Sequence, residues 1–209
     1  MQKTIPSTIS SLPEASSLVK SSLPEASSST KTVAGPRSDR TQRRLTRLKN
    51  ELNRIAEDQK DNKNDSGFNV WTLNEQLTEW EGVLLGPADT IYAKGKFPFR
   101  ISIPEEYPCK APIIYFTARI YHPNISEAYQ MTNSLGMLEG IRSDICIDIL
   151  KDQWSPALSI TSILLSTRNL FNDPNFKDPL NMRAVDHYMS NKPDYEKAVK
   201  ECVLLNTPI

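Results

Sequence analysis

Apolar and polar positions follow two clear rhythms along this chain. Leu45, Leu48, Leu52, Ile55 and Ala56 recur at intervals of three and four, which predicts one amphipathic helix beginning near Thr41. Arg43, Arg44, Arg47, Lys49 and Arg54 make much of its remaining surface basic. Further on, Phe97, Phe99, Ile101 and Ile103 alternate with Pro98, Arg100 and Ser102, the period of a strand with one buried face. Similar runs cover 68–73, 77–85 and 112–116, and Gly86-Pro87, Gly95 and the segment 104–108 punctuate them as turns. They predict a four-stranded antiparallel meander. The last third is helical again over 159–171, 182–190 and 194–205, parted by Asp173-Pro174 and Lys192-Pro193. On its final helix Tyr195, Ala198, Val199 and Cys202 share a face. Helix, sheet, then helices predict an α+β fold.

Two stretches have neither rhythm. The first forty positions hold eleven serines and four threonines, and all sixteen aromatic residues lie at or after Phe68. The segment from Ser10 to Ser17 returns unchanged from Ser21 to Ser28, with proline in each copy. Residues 1–40 are therefore expected to be a disordered Ser/Thr-rich extension, either a solubilising tail or a docking and phosphorylation segment, and 41–209 one domain. The second stretch, 121–158, lies between the predicted fourth strand and the helical third. Long irregular chain inside a compact domain usually carries function.

Charge narrows the classes. The chain has 25 Lys and Arg against 25 Asp and Glu, so the strongly basic field of a non-specific nucleic-acid binder is missing. No run approaches the ~18 apolar residues of a membrane span, and the N-terminus lacks the apolar segment of a secretory signal. A cytosolic or nuclear location, where thiols stay reduced, is expected.

The three cysteines are odd in number and widely spaced, without the paired spacing of a zinc site, so no metal is expected. Cys202 falls on a predicted helical core face and Cys109 in a proline-rich turn. Cys146 lies in the irregular stretch, in the run Ile145-Cys146-Ile147-Asp148-Ile149-Leu150. A cysteine suits acyl transfer because its thiolate is nucleophilic and its ester stays reactive. Buried free cysteines are more often small core residues, so the neighbourhood decides.

That neighbourhood resembles the ubiquitin-conjugating family, over most of residues 41–206. The resemblance runs in order through Glu51-Leu52-Asn53, Gly86-Pro87, Tyr107-Pro108, the Pro112 strand, Tyr121-His122-Pro123-Asn124-Ile125, the Cys146 run, Trp154-Ser155-Pro156-Ala157-Leu158, Asp173-Pro174-Asn175 and Asp178-Pro179-Leu180. It implies the ubiquitin-conjugating fold and a thioester-forming acyltransferase. Cys146 would take ubiquitin from an activating enzyme and yield it to a lysine amine of a substrate, usually with a RING-type or HECT-type ligase. ATP would be consumed upstream, leaving no cofactor of its own. Asn124 would offer an amide donor to the oxyanion or, with equal weight, hold its loop together. Asp178 would help deprotonate the incoming lysine, its alternative being a helix cap before Pro179. His122, with Pro123, would be a structural part of the motif. Arg47, Cys109, Pro156 and Ala157 would face the ligase, although Arg47 also reads as an ordinary solvated helix charge.

Two departures from the family pattern stand out. The loop of Cys109 often carries a large aromatic in the family, and a cysteine there offers a ligase less apolar area. Residues 126–144 form a loop insertion over a dozen residues longer than usual, which is either inert or a lid or modifier contact beside the thiol. Three rival readings remain: a papain-like hydrolase pairing Cys146 with His122 or His187, a conjugating enzyme for a ubiquitin-like modifier, and a non-catalytic variant acting as a binding module. No protease signature surrounds Cys146, and the serine-rich extension and the Trp154 block resemble ubiquitin-specific members.

Overall fold

The computed structural model describes residues 36–60 and 67–206. The serine-rich repeat lies outside the described residues. Helix α1 (Pro36–Lys60) is followed by strands β1 (Phe68–Thr72), β2 (Glu79–Leu85), β3 (Lys96–Ser102) and β4 (Ile113–Phe116). Strands β5 (Tyr129–Thr132) and β6 (Leu138–Asp144) come next, then helices α2 (Ile160–Leu170), α3 (Met182–Ser190) and α4 (Lys192–Leu205). The α+β fold and the antiparallel meander are as expected. Helix α1 starts at Pro36, five residues ahead of the expected domain boundary.

The meander is built as its alternation dictates. In β3, Phe97, Phe99 and Ile101 are buried, while Pro98, Arg100 and Ser102 are only partly covered. Trp80 and Leu84 of β2 are buried beside them, with Trp80 opposite Ile101 and Leu84 opposite Phe97. The β2–β3 connection closes where Gly86 donates to the Gly95 carbonyl at 3.0 Å. A side chain at Gly86 would collide with the Tyr92 carbonyl, so the close approach of two backbones requires glycine there.

Helices cover the sheet with the stripes that the spacing predicts, with one exchange. Leu48 and Ile55 of α1 are buried, but Ala56 is exposed, and the third buried position of the stripe is Glu51. That carboxylate is fully engaged. It accepts from Tyr107 Oη at 2.7 Å, from the Ile160 amide at 2.9 Å and from the Arg47 guanidinium. Charge-assisted bonds of this kind offset the cost of burial and tie α1 to the first turn of α2. Ser159 caps α2 and forms a reciprocal pair with Ser162. Helix α4 starts at Lys192, so Pro193 lies in its first turn, where its missing N–H removes no helical bond.

The stretch expected to be irregular contains a hairpin. The sheet has six strands in the order β1-β2-β3-β4-β6-β5, so the 126–144 insertion adds two strands beyond β4. Asn133 organises its turn, its Oδ1 accepting from the amides of Leu135 and Met137 at 3.0 and 2.9 Å, and Gly136 takes a φ of +76°. The hairpin is fastened to the sheet by a short ladder, Tyr115 opposite Asp144 and Phe116 opposite Ser143. Arg142 stacks 4.3 Å above the Tyr115 ring.

Candidate active site

Cys146 stands two residues beyond the end of β6, at the point where that strand meets the loop of His122 and Asn124. Its amide donates to the Asn124 carbonyl at 2.9 Å, and Ile125 and Ile145 form an isolated antiparallel bridge. The sulfur position is therefore set by main-chain bonds on both sides. A 3₁₀ turn, Asp148–Leu150, follows at once and carries Lys151 back toward the thiol.

The thiol is covered but shallow. Cys146 is 5% exposed and lines a recess of about 210 Å³ with Ile147, Asp148, Gln153, Leu170 and Asn175. Its Sγ–H donates to Asp178 Oδ2 at 3.2 Å, and the same oxygen accepts from Lys151 Nζ. These two neighbouring side chains are themselves about half exposed, Lys151 at 47% and Asp178 at 53%. An ion pair between surface side chains is a weak fastening.

The electrostatics keep the thiol neutral. Burial pushes the Cys146 thiol above its ordinary value, the Asp178 carboxylate adds to this, and the Lys151 ammonium opposes it. Lys151 holds the Asp178 carboxyl below its usual range, with the Cys146 thiol assisting. The same contact with Asp178 raises the Lys151 ammonium. The centre thus consists of a protonated thiol, an ionised carboxylate and a protonated amine sharing one carboxylate oxygen.

Asn124 lies behind this group, 0% exposed. Its Nδ2 donates to the carbonyls of Asn175 and Asp178 at 2.7 and 3.2 Å, and its Oδ1 accepts from the Asn175 amide at 2.8 Å. Both amide hydrogens are engaged, so in this state Asn124 positions the loop that presents Asp178. Of the two roles weighed for it, the geometry displays the scaffolding one. The carbonyl of the adjacent Pro123 accepts from the amides of Leu180 and Asn181 at 2.9 Å each, which clamps the far end of that loop. The helix-cap alternative for Asp178 is excluded, because Asn181 caps α3 by accepting from the Ala184 amide.

His122 is structural. It is 0% exposed, its Nδ1 accepts from the Asn124 amide at 2.9 Å and its Nε2 lies 2.9 Å from the Leu170 carbonyl. An accepting Nδ1 requires the neutral tautomer with hydrogen on Nε2. Burial lowers its pKa to about 4. The other histidine, His187, bonds Tyr121 and Asp194, so neither histidine is bonded to the thiol and the hydrolase dyad is not formed.

The four expected ligase-facing positions fall on α1 and two loops joined by hydrogen bonds. Arg47 Nη2 donates to the Leu158 carbonyl at 2.8 Å, and Trp154 Nε1 donates to the Pro108 carbonyl at 2.9 Å. Cys109, Pro156 and Ala157 are exposed. Arg47 is more than a solvated charge, since its contact with buried Glu51 makes it part of the clasp between α1 and α2. It also lines, with Arg40, Arg43, Arg44, Tyr107 and Cys109, a groove of about 690 Å³.

Two participants were not singled out from the sequence. Lys151 was visible only as one of several charges near Cys146, and its proximity to the sulfur depends on the turn between them. Glu51 was visible only as part of a motif; its position three residues after Leu48 on the buried face was the available signal. The 126–144 hairpin, weighed as a lid or modifier contact, lines no part of the recess. Among the described residues no group of three or more His, Cys, Asp or Glu side chains is placed to hold a metal ion, and no helix is long and apolar enough to cross a membrane.

Comparison with known proteins gives this arrangement its family. A model of the ubiquitin-conjugating enzyme family matches residues 47–203. Ubiquitin-conjugating enzyme E2 2 of Kluyveromyces lactis is 36% identical over 152 residues, which cover 72% of this chain and 84% of that protein. Its namesake in Candida albicans is 33% identical over 138 residues, covering 66% of this chain and 69% of that protein. Among solved structures, the E2 domain of a Toxoplasma gondii ubiquitin conjugating enzyme matches with a TM-score of 0.63 at 31% identity, covering 78% of this chain and 98% of that one. On its sequence and its fold alike, the chain belongs to the ubiquitin-conjugating enzyme family.

Proposed function

We propose that Cys146 receives ubiquitin from an activating enzyme as a thioester and passes it to lysine amines of substrate proteins, usually with a RING-type or HECT-type ligase. The observation that carries this reading is the contact of Cys146 Sγ with Asp178 Oδ2 at 3.2 Å. A carboxylate one bond away from the acyl-carrying sulfur is placed to accept a proton from the attacking amine. A lysine with an ordinary pKa near 10.4 is almost wholly protonated at neutral pH, so that acceptance matters.

Transfer replaces one thioester by another and then by an amide. In each step the carbonyl carbon becomes tetrahedral and its oxygen negative. Asn124 serves these steps first by holding the Asp178 loop. Releasing the longer of its two donor bonds, to the Asp178 carbonyl at 3.2 Å, would free an amide hydrogen for that oxygen. A raised thiol pKa suits a carrier that receives an acyl group from another thiol, since its ester is then less prone to leave toward water.

Arg47, Cys109, Pro156 and Ala157 supply the ligase-facing surface in this reading, and ATP acts only upstream. The Trp154 block favours ubiquitin over a related modifier. The retained Cys146 and Asp178 favour a catalyst over a binding module. Incubation with activating enzyme, ATP and ubiquitin, followed by a non-reducing gel, tests the proposal. A thiol-sensitive adduct absent from Cys146→Ala is expected; no adduct with any small modifier would refute it.

A further inference from the structure

The 126–144 insertion leaves an open sheet edge. Strand β5 ends the order β1-β2-β3-β4-β6-β5 and pairs with β6 alone among the described residues. About half of its main-chain N–H and C=O groups therefore point away from the sheet, a template for one more strand. Proteins ordinarily blunt such an edge with a charge, a proline or a bulge. Residues 128–138 hold no Asp, Glu, Lys, Arg, His or Pro. The one bulge adds its extra residue, Glu139, to β6, because Met131 opposes Gly140 and Thr132 opposes Leu138. The same segment leaves Tyr129, Leu135, Met137 and Leu138 between 45% and 79% exposed.

We propose that this edge is an interface between two copies of the chain: β5 pairs antiparallel with β5 of a second copy across a twofold axis, joining two six-stranded sheets into one. Charge, register and area favour a second copy over another occupant. An uncharged strand meets its own copy without like-charge repulsion, and it offers nothing to select an acidic or a basic segment. Antiparallel pairing about a twofold axis is self-consistent when the axis passes Gln130 or Met131. Either choice brings the turn of each hairpin level with Glu127 and Ala128 of the other copy. Those two residues border a recess of about 310 Å³ with Tyr121, Arg183 and Cys202. Each apolar tip thus lies beside a hollow of the other copy, and the contact occurs twice. The four exposed apolar side chains amount to on the order of 500 Å² per copy, so pairing buries about 1,000 Å² in all, enough for a weak specific dimer.

The thiols stay open in such a pair. The hairpin lines no part of the Cys146 recess, and Cys146 lies beyond the end of β6 that is remote from the tip. Antiparallel pairing sends the two Cys146 positions in opposite directions, roughly 40 Å apart from strand spacings alone. The interface therefore stands independently of the thioester reading.

Sedimentation of the full chain between about 1 and 300 µM tests the pairing, with a shift from single to double mass expected at a midpoint on the order of 10–100 µM. Gln130→Lys brings ammonium groups of the two copies together near the axis, and Leu135→Asp charges the tip. Both side chains are exposed, so both variants should melt like the parent. Each should raise the midpoint by about tenfold or more. The chain with residues 130–141 replaced by an Asn-Gly turn should stay single throughout. Amide exchange over 129–132 should slow as the parent is concentrated. A parent that remains single at the highest concentration, or a dimer that survives both substitutions or loss of the hairpin, would overturn the proposal. Protection of the 129–132 amides only after a ligase or substrate protein is added would assign the edge to a different partner and overturn it equally.

Discussion

Cys146 Sγ donates its hydrogen to Asp178 Oδ2 at 3.2 Å, and that same oxygen accepts from the Lys151 ammonium. One carboxylate oxygen thus addresses the atom that would hold the acyl group and an amine of the kind that would receive it. Lys151 keeps Asp178 ionised below the usual carboxylate range, so its capacity as a proton acceptor persists throughout the neutral region.

If Asp178 accepts the proton of the attacking amine, its loss should matter most for amines that arrive protonated. Asp178→Ala is expected to slow discharge of the thioester to free lysine by about 10²-fold. Discharge to hydroxylamine, which is neutral at neutral pH, should slow far less. Single-turnover discharge of purified thioester measures both rates, and equal slowing with the two amines would contradict the assignment.

Burial sets a pH limit on the fold through His122. Its folded pKa is lowered to about 4 from an ordinary 6.5, so between these values the unfolded chain binds the extra proton. Stability is therefore complete above about pH 6.5 and falls as pH drops toward 4, by about 3 kcal/mol from this group. Denaturant melts at pH 7 and pH 5 should show the loss, and His122→Asn should flatten the slope over that interval by nearly one proton.

Asn124, itself fully buried, holds two carbonyls and one amide of the 175–178 loop. Asn124→Ala should cost on the order of 1–3 kcal/mol for each buried group that water cannot reach. It should also raise protease sensitivity between Asn175 and Asp178. Full stability with a large loss in discharge would point to a purely catalytic amide instead.

The β5–β6 hairpin has the opposite expectation. Leu135, Met137 and Leu138 are exposed, and the hairpin lines no part of the thiol recess. Tyr129 lies directly opposite Arg142, so residues 130–141 can be replaced by an Asn-Gly turn at that rung. Stability should change by less than about 1 kcal/mol, and the rates of thioester formation and discharge should stay the same. A clear change in either rate would assign the hairpin a part in the reaction.

The elements legible in the sequence are those whose side chains are sorted by burial. Phe97, Phe99 and Ile101 announce β3 because one face of that strand is dry, and Leu48 with Ile55 announces α1 for the same reason. The hairpin escaped because of its seven β6 residues only Ser143 is buried, so pairing there is a main-chain matter that leaves no alternation to read. Pro193 reads as a break between helices, whereas it occupies the first turn of α4, where proline is tolerated. Cys146 and Asp178 stood out through their motifs. Lys151 did not, because its role depends on which way a 3₁₀ turn sends a flexible side chain. Ala56 fits the α1 stripe on spacing alone, while the buried position goes to Glu51, an acid whose partners beyond α1 come from residues 107 and 160. Such long-range partners are invisible to local pattern.

The central claim is that one particular sulfur carries the modifier. Charging of Cys146→Ser with activating enzyme, ATP and ubiquitin tests it most directly, because an oxygen in that position yields an ester that withstands thiols and is cleaved by hydroxide. The account predicts such an adduct for Cys146→Ser, and ordinary thiol-sensitive adducts for Cys109→Ser and Cys202→Ser. A thiol-sensitive adduct on Cys146→Ser would place the acyl group on another cysteine and contradict it.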